Sequence, residues 1–237
     1  DQQFINTPSW LWKICADSYG VETAREIAEA HLQEPPLDLT SIKSPSSWKK
    51  ELGAELLPTG TLRVREKGNI INLPGFNEGA WWVQDVAASF PALLLLNALP
   101  KHPSNYLVAD YCAAPGGKTS QLLAAGAKVF SIDRSRFRLG LLENNLKRLG
   151  LRGNLIDTDA IRWIPKEKME AVLIDSPCSA SGTIRRHPDL PWRKNTESAN
   201  KLIASQDQLL ASAASNLKPG GILVYSVCSL DPLEGEV

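Results

Sequence analysis

The 237-residue chain has no long apolar run, no paired-cysteine motif and no net charge. Its densest apolar stretch, within FPALLLLNALP, is far too short to span a bilayer. The opening DQQFINTPSW lacks a basic stretch followed by an apolar core, so no secretory signal is read there. Cys15, Cys112, Cys178 and Cys228 are scattered, with no CxxC pair, and His31, His102 and His187 do not cluster with them. That spacing argues against a zinc site and against a disulfide scaffold. Free thiols in a reducing compartment follow, and nothing points outside the cytoplasm. Internal repeats and low-complexity tracts are missing too. The length suits one large domain or two small ones, enough to bury a sizeable core.

Zero net charge speaks against nucleic acid, but the distribution speaks for it. Arg134, Arg136, Arg138, Lys147, Arg148 and Arg152 share a stretch with Glu143 as the only acid. Arg185, Arg186, Arg193 and Lys194 follow in a short segment opposed by Asp189 alone. A basic face on a neutral protein can hold phosphate, although a solvated helix face is the commoner fate of such a run.

TPSWLWKICADSYG places Thr7 as a helix cap, Pro8 at the first helical position and Gly20 as a stop. VETAREIAEAHL sets Val21, Ala24, Ile27, Ala28 and Leu32 at helical spacing. LDLT, SPSSWKKELGA, ELLPTGTLRV and GNIINLP then read as a small strand–helix–strand–strand unit. The Gly/Pro-rich LPGFNEG reads as a connector. The expected division is an α+β subdomain over 1–79 and an α/β core over 80–237.

From residue 80 strands alternate with helices. LVADYC, AKVFSID, GNLID, AVLID and GILVYSVC read as strands, separated by helical stretches. Alternation of this kind predicts a parallel, doubly wound, Rossmann-like sheet, in which ligands bind beyond the carboxyl ends of the strands. Asp110 to Cys112, Asp133, Asp157 to Asp159, Asp175 and Cys228 all fall at such ends.

DYCAAPGGKTS ends like a P-loop, but Cys112 stands where that motif needs glycine. The dinucleotide fingerprint is absent as well, because Gly116 and Gly117 are adjacent. A tight turn remains, one that lets a ligand approach the backbone. Asp133 is placed to accept ribose hydroxyls and Asp159 to meet an adenine amino group. A nucleoside cofactor without pyrophosphate fits, and S-adenosyl-L-methionine is the expected one. Each Asp taken singly is more simply a cap or turn residue; the ordered set at successive strand ends favours the functional reading.

A methyl donor beside a thiol suits methylation of a poor nucleophile such as carbon 5 of cytosine. Addition of a thiolate to C6 makes C5 reactive, which splits one difficult step into two easier ones. Asp175, three residues before Cys178, has the right type and place to stabilise charge at N3. A second thiol can serve the release step. The residues alone do not say which of Cys178 and Cys228 attacks.

CAAPGGKT, DSPCSASGTIRRHPDLPW and YSVCSLDPLEGE resemble the cofactor loop and the two cysteine motifs of the Nol1/Nop2/Sun RNA cytosine-5 methyltransferases. PSWLWK, LPGFNEGAWWVQD and NLKRLG extend the likeness over nearly the whole chain, towards the bacterial Sun (Fmu) enzymes that modify 16S ribosomal RNA. The resemblance implies a Rossmann-like S-adenosylmethionine-dependent methyltransferase fold with a small N-terminal α+β RNA-recognition subdomain. It makes Cys228 the nucleophile and gives Cys178 the release role. Cofactor contacts fall on Cys112, Ala113, Ala114, Pro115, Gly116, Gly117, Lys118, Asp133, Asp159 and Asp175. Arg185, Arg186 and His187 are the expected RNA contacts. The expected partner is RNA, with no membrane and no metal, and the protein a monomer. A tRNA methyltransferase and a non-catalytic ribosome-assembly factor are the alternatives.

The chain departs from the family in three ways. Asp231 stands where Asn or another residue often sits. Val227 precedes Cys228 where the family usually has threonine, so a hydroxyl is lost there. The chain also reads as a fragment, because the family fold normally adds a final helix and an antiparallel strand pair after the fifth strand, and a helical RNA-binding domain at its beginning. Cys15 and Cys112 read as packing residues, as do most of Trp10, Trp12, Trp81 and Trp82.

Overall fold

The computed structural model describes residues 6–65, 68–99 and 102–235, which fall into two compact units. The larger comprises Pro36–Asp175 and Leu210–Tyr225; the smaller comprises Asp1–Pro35, Ser176–Leu209 and Ser226–Val237.

The larger unit holds two sheets. The first contains β1 (Leu37–Ser41), β2 (Ala54–Leu56), β3 (Leu62–Val64) and β4 (Trp81–Val83) in the order β2-β3-β1-β4, with helix α3 (Pro45–Glu51) between β1 and β2. Leu39, Leu62 and Trp81 form its fully buried centre. Asp38, buried, takes a two-pronged contact from Arg63 at 2.8 and 2.9 Å and also accepts from the Val86 backbone N–H. Two expectations need correction here. GNIINLP contributes a single 3₁₀ turn at Ile70–Asn72 and no strand. The fourth strand lies past residue 79 and pairs antiparallel with β1, Thr40 opposite Trp82. The compact units therefore do not follow a cut at 79/80, because β4 completes the antiparallel sheet from beyond it.

The second sheet contains β5 (Leu107–Tyr111), β6 (Lys128–Asp133), β7 (Asn154–Asp157), β8 (Met169–Asp175) and β9 (Leu217–Ser226) in the order β7-β6-β5-β8-β9. β5 runs parallel to β6 and β8, and β6 runs parallel to β7. Val108, Ala109 and Ala171 to Ile174 are buried on both faces, as the near-continuous apolar runs of parallel strands require. The register sets Tyr111 opposite both Ile132 and Ile174, and Asp133 opposite Asp157. Polar residues that end these strands are thereby brought to one edge, where the strand order reverses, the position at which open parallel sheets bind ligands.

The helices follow from local chemistry. Asp85 caps α4 (Val86–Ala98) by accepting from the Ala87 N–H at 2.8 Å. α5 (Gly117–Ala124) starts at the glycine-rich turn. Ser135 caps α6 (Arg136–Leu149) through the Arg138 N–H, and Leu139, Leu142, Leu146 and Leu149 bury one stripe of it. One member of the basic run is structural: Arg148 donates to the carbonyls of Phe76 and Trp81 and lies 4.2 Å over the Phe76 ring.

In the smaller unit, α1 (Ser9–Tyr19) and α2 (Val21–His31) meet at Gly20. Pro8 occupies the cap position, one place before the expected first turn, and Thr7 lies outside the helix. Leu11, Cys15, Ala24 and Ile184 form one core, so Cys15 is a packing residue. α7 (Leu190–Arg193), the residues of α8 (Thr196–Asn216) through Leu209 and α9 (Pro232–Gly235) complete this unit. Among the described residues no helix is long and apolar enough to cross a membrane.

Candidate active site

In the larger unit the candidate groups gather where β5, β6 and β8 end. Gly116 has φ +105°, and a Cβ there would come 2.7 Å from Leu142 Cγ, so only glycine lets the turn lie this close to α6. Asp133, at the end of β6, accepts from the Ala114 N–H at 3.2 Å and the Ser135 N–H at 2.9 Å, and Arg138 lies 3.5 Å from it. Arg138 also donates to the Ala114 carbonyl, which fastens both sides of the turn. Asp159 closes a local turn by accepting from the Ile161 N–H at 3.0 Å.

Lys118 places its Nζ 2.7 Å from a carboxylate oxygen of Asp175, joining the turn to the end of β8. Beneath them Asp110 is fully buried. Thr119 donates to one of its oxygens at 2.5 Å, and the other has no hydrogen-bond partner among the described residues. Burial pushes this carboxyl up to about 7, with Asp175 and Asp133 adding to the rise while Thr119 and Lys118 oppose it. Cys112 is pushed up to about 12, by burial first and then by Asp133, Asp110 and Asp175. Its thiol keeps its proton and is no nucleophile.

The smaller unit holds the two remaining thiols. Cys178 Sγ and Cys228 Sγ lie 3.4 Å apart, in hydrogen-bond contact and without a disulfide. Cys178 is buried and Cys228 is exposed. The hydrogen bond to the Cys228 sulfur and then burial raise the Cys178 thiol well above the ordinary cysteine range. The Cys178 thiol therefore keeps its proton, and Cys228 is the exposed sulfur of the pair. Residues fifty positions apart in the chain are thus brought into one pair.

Residues 96–237 match the 16S rRNA methyltransferase RsmB/F family. The chain belongs to that family. It is 36% identical to the ribosomal RNA small subunit methyltransferase B of Citrobacter koseri over 96% of this chain and 55% of that protein. The protein of the same name from Vibrio vulnificus is 35% identical over the same shares. The solved structure of PH0851 superimposes with a TM-score of 0.89 at 29% identity, covering 99% of this chain and 56% of that one. A methyltransferase homologue from Pyrococcus horikoshii gives 0.80 at 30% identity, covering 94% and 74%. The chain spans about half the length of the curated relatives it matches. The five-stranded unit has the Rossmann-like methyltransferase fold.

In this RsmB/F chain the segment expected to touch RNA is partly engaged by protein. Arg185 donates to the carbonyls of Gln33 and Glu34 at 3.4 and 3.2 Å, which ties it to the end of α2. His187 is exposed and Arg186 half-buried. Trp81 and Trp82 are buried, and Trp10 donates its indole N–H to the Pro191 carbonyl. The exposed indole of this region is Trp192, 61% accessible, which sequence reasoning passed over. Reasoning from sequence also passed over Thr119, one helical turn into α5, and Ser179, Ser229 and Glu234 around the cysteines. The serines directly follow each cysteine, and that repetition was the available signal.

Proposed function

We propose that this chain is the catalytic part of an enzyme that methylates carbon 5 of a cytosine in small-subunit ribosomal RNA, with S-adenosyl-L-methionine as donor. One observation carries this reading: two sulfurs lie 3.4 Å apart, one buried and the other exposed. An exposed thiol can add to C6, and a second thiol beside it can serve the release step, when the carbon–sulfur bond breaks.

The donor suits the groups at the strand ends. The turn at Gly116 leaves no room for a Cβ, and the groups that converge there are carboxylates suited to hydroxyl and amino donors. Asp133 would hold the ribose, Asp159 the adenine, and Cys112 to Lys118 the rest along the turn. When bound, the cofactor supplies an electrophilic methyl carbon.

The chain's own residues do the remaining work. The Cys228 thiolate bonds to C6 of the cytosine, and the electron pair moves towards C5 while charge develops at N3. Asp175 is the group assigned to N3: its carboxyl delivers a proton to N3 as charge develops there, and the carboxylate left behind is met by Lys118. After methylation, loss of the C5 proton to a base and cleavage of the C6–S bond restore the ring, and the departing Cys228 sulfur regains its hydrogen bond from Cys178. The cytosine has to be unpaired or flipped for C6 to be reached. Arg186 and His187 are assigned to phosphate and Arg185 to bracing the loop. The antiparallel sheet and the N-terminal helices are assigned to RNA recognition, with the protein acting as a monomer.

Covalent trapping on the full-length protein tests this reading. Wild type, Cys178→Ala and Cys228→Ala are incubated with the donor and unmethylated 16S rRNA or tRNA transcripts, then run on denaturing gels. Accumulation of an rRNA adduct in Cys178→Ala, and none in Cys228→Ala, is expected. Trapping by Cys228→Ala would reverse the two roles, and an adduct with tRNA alone would replace the substrate.

A further inference from the structure

Glu234 is fully buried in the smaller unit, where a carboxylate is found only if it is well bonded. Its oxygens accept from the Ser179 backbone N–H at 2.8 Å, the Ser179 hydroxyl at 2.5 Å and the Gln206 side-chain amide at 3.3 Å. Gln206 donates as well to the Pro177 carbonyl at 3.0 Å. Pro177 and Ser179 flank Cys178, so this one carboxylate, directly and through Gln206, grips the chain on both sides of the buried thiol.

The same network reaches the other cysteine. The Ser179 and Ser229 hydroxyls lie 2.9 Å apart, and those of Ser229 and Ser181 lie 3.3 Å apart. Ser179 spends its one hydroxyl proton on Glu234. Ser179 then accepts from Ser229, and Ser229 accepts from Ser181. The three hydroxyls form a one-way chain that ends on the carboxylate, and each bond polarises the next. Ser229 directly follows Cys228, and its oxygen also takes the Asp231 N–H at 2.9 Å. Ser181 takes the Leu230 N–H at 2.7 Å. The Gly182 N–H donates to the Cys228 carbonyl at 2.9 Å, where a Cβ on residue 182 would come within 3.0 Å of that oxygen.

We infer that Glu234 is a positioning residue which, through Ser179, Ser229 and Ser181, locks the two cysteine loops together so that their sulfurs stay in contact. This rests on the reading of Cys178 and Cys228 as the reacting pair, but its geometry can be tested without any reaction. The effect passes through the residues beside the two cysteines.

The test is the pH dependence of iodoacetamide alkylation, followed at each cysteine by mass spectrometry in the full-length protein without RNA or donor. Wild type, Glu234→Ala, Glu234→Gln and Ser229→Ala are compared, with circular dichroism melts to identify folded variants. In wild type Cys228 is expected to react at least about tenfold faster than Cys178, since Cys178 is buried and protonated. Glu234→Ala should collapse that ratio by about tenfold, while Glu234→Gln, which keeps an acceptor for Ser179, should retain most of it. Ser229→Ala cuts the hydroxyl chain at its middle with little change of volume, and should lower the ratio even if Glu234→Ala does not fold. In turnover assays Glu234→Ala or Ser229→Ala should lower kcat and leave KM for RNA unchanged. A folded Ser229→Ala or Glu234→Ala with the wild-type ratio across the pH range overturns the inference. Because alkylation needs no substrate, that failure leaves the methylation reading intact, and failure of adduct trapping leaves the alkylation ratio intact.

Discussion

The Lys118 ammonium lies 2.7 Å from the Asp175 carboxylate, and this contact joins the glycine-rich turn after β5 to the end of β8. Lys118 is mostly buried while Asp175 is two-fifths accessible, so the pair is only partly shielded from water. Its value lies more in aiming Asp175 than in stability. Lys118→Met should lower kcat/KM by about tenfold or more, a loss of roughly 1.4 kcal/mol or more, while the melting temperature barely moves. Methyl-transfer kinetics beside a thermal melt would show this. Normal turnover in Lys118→Met would mean Asp175 needs no such anchor.

Gly116→Ala should damage both fold and binding. The residue sits at φ +105°, and its new methyl would meet the Leu142 side chain at 2.7 Å. Left-handed strain of about 1–2 kcal/mol and overpacking of about 1–3 kcal/mol act together. Urea unfolding should show a loss of roughly 2–5 kcal/mol. Calorimetry should show weakened binding of S-adenosyl-L-methionine. A variant with wild-type stability and affinity would show that the turn moves aside at no cost.

Asp110 makes stability depend on pH. Its carboxyl has an ordinary value of 3.8 and is held at about 7 in the folded chain, chiefly by burial. Between those values the folded state keeps a proton that the unfolded state has released, so stability falls as pH rises through this window and the penalty is complete above it. Asp110→Asn keeps an acceptor for Thr119 and removes the titration. Relative to wild type, the variant should gain roughly 2–3 kcal/mol between about pH 5 and pH 8. Urea melts at the two pH values measure it. Parallel behaviour of both proteins would mean Asp110 is ionised throughout.

Much of the larger unit was legible along the chain. Each helix and parallel strand there is written in nearby residues: Ser135 before α6, the leucine stripe within it, and the apolar runs of β5 and β8. These depend on contacts one turn or one pleat away, which a local window contains. The strand-end positions of Asp133 and Asp175 followed from the same alternation. The antiparallel sheet was less legible, because Trp81–Val83 becomes a strand only by pairing with Leu39 to Ser41, some forty residues earlier. A three-residue strand carries too little periodicity to declare itself, which is why the expected cut at residue 79 separated it from its sheet.

By itself the sequence determined which chemical groups are present and the order in which helices and strands deliver them, since both depend on side-chain type and local spacing. Only the tertiary structure decided that Cys178 is buried against an exposed Cys228, that Lys118 reaches Asp175, and that Glu234 gathers serines from two distant loops. Those relations depend on distances between segments far apart in the chain, and on the loss of water around them. Burial and through-space contact set protonation and reactivity, and neither can be read from neighbours in sequence.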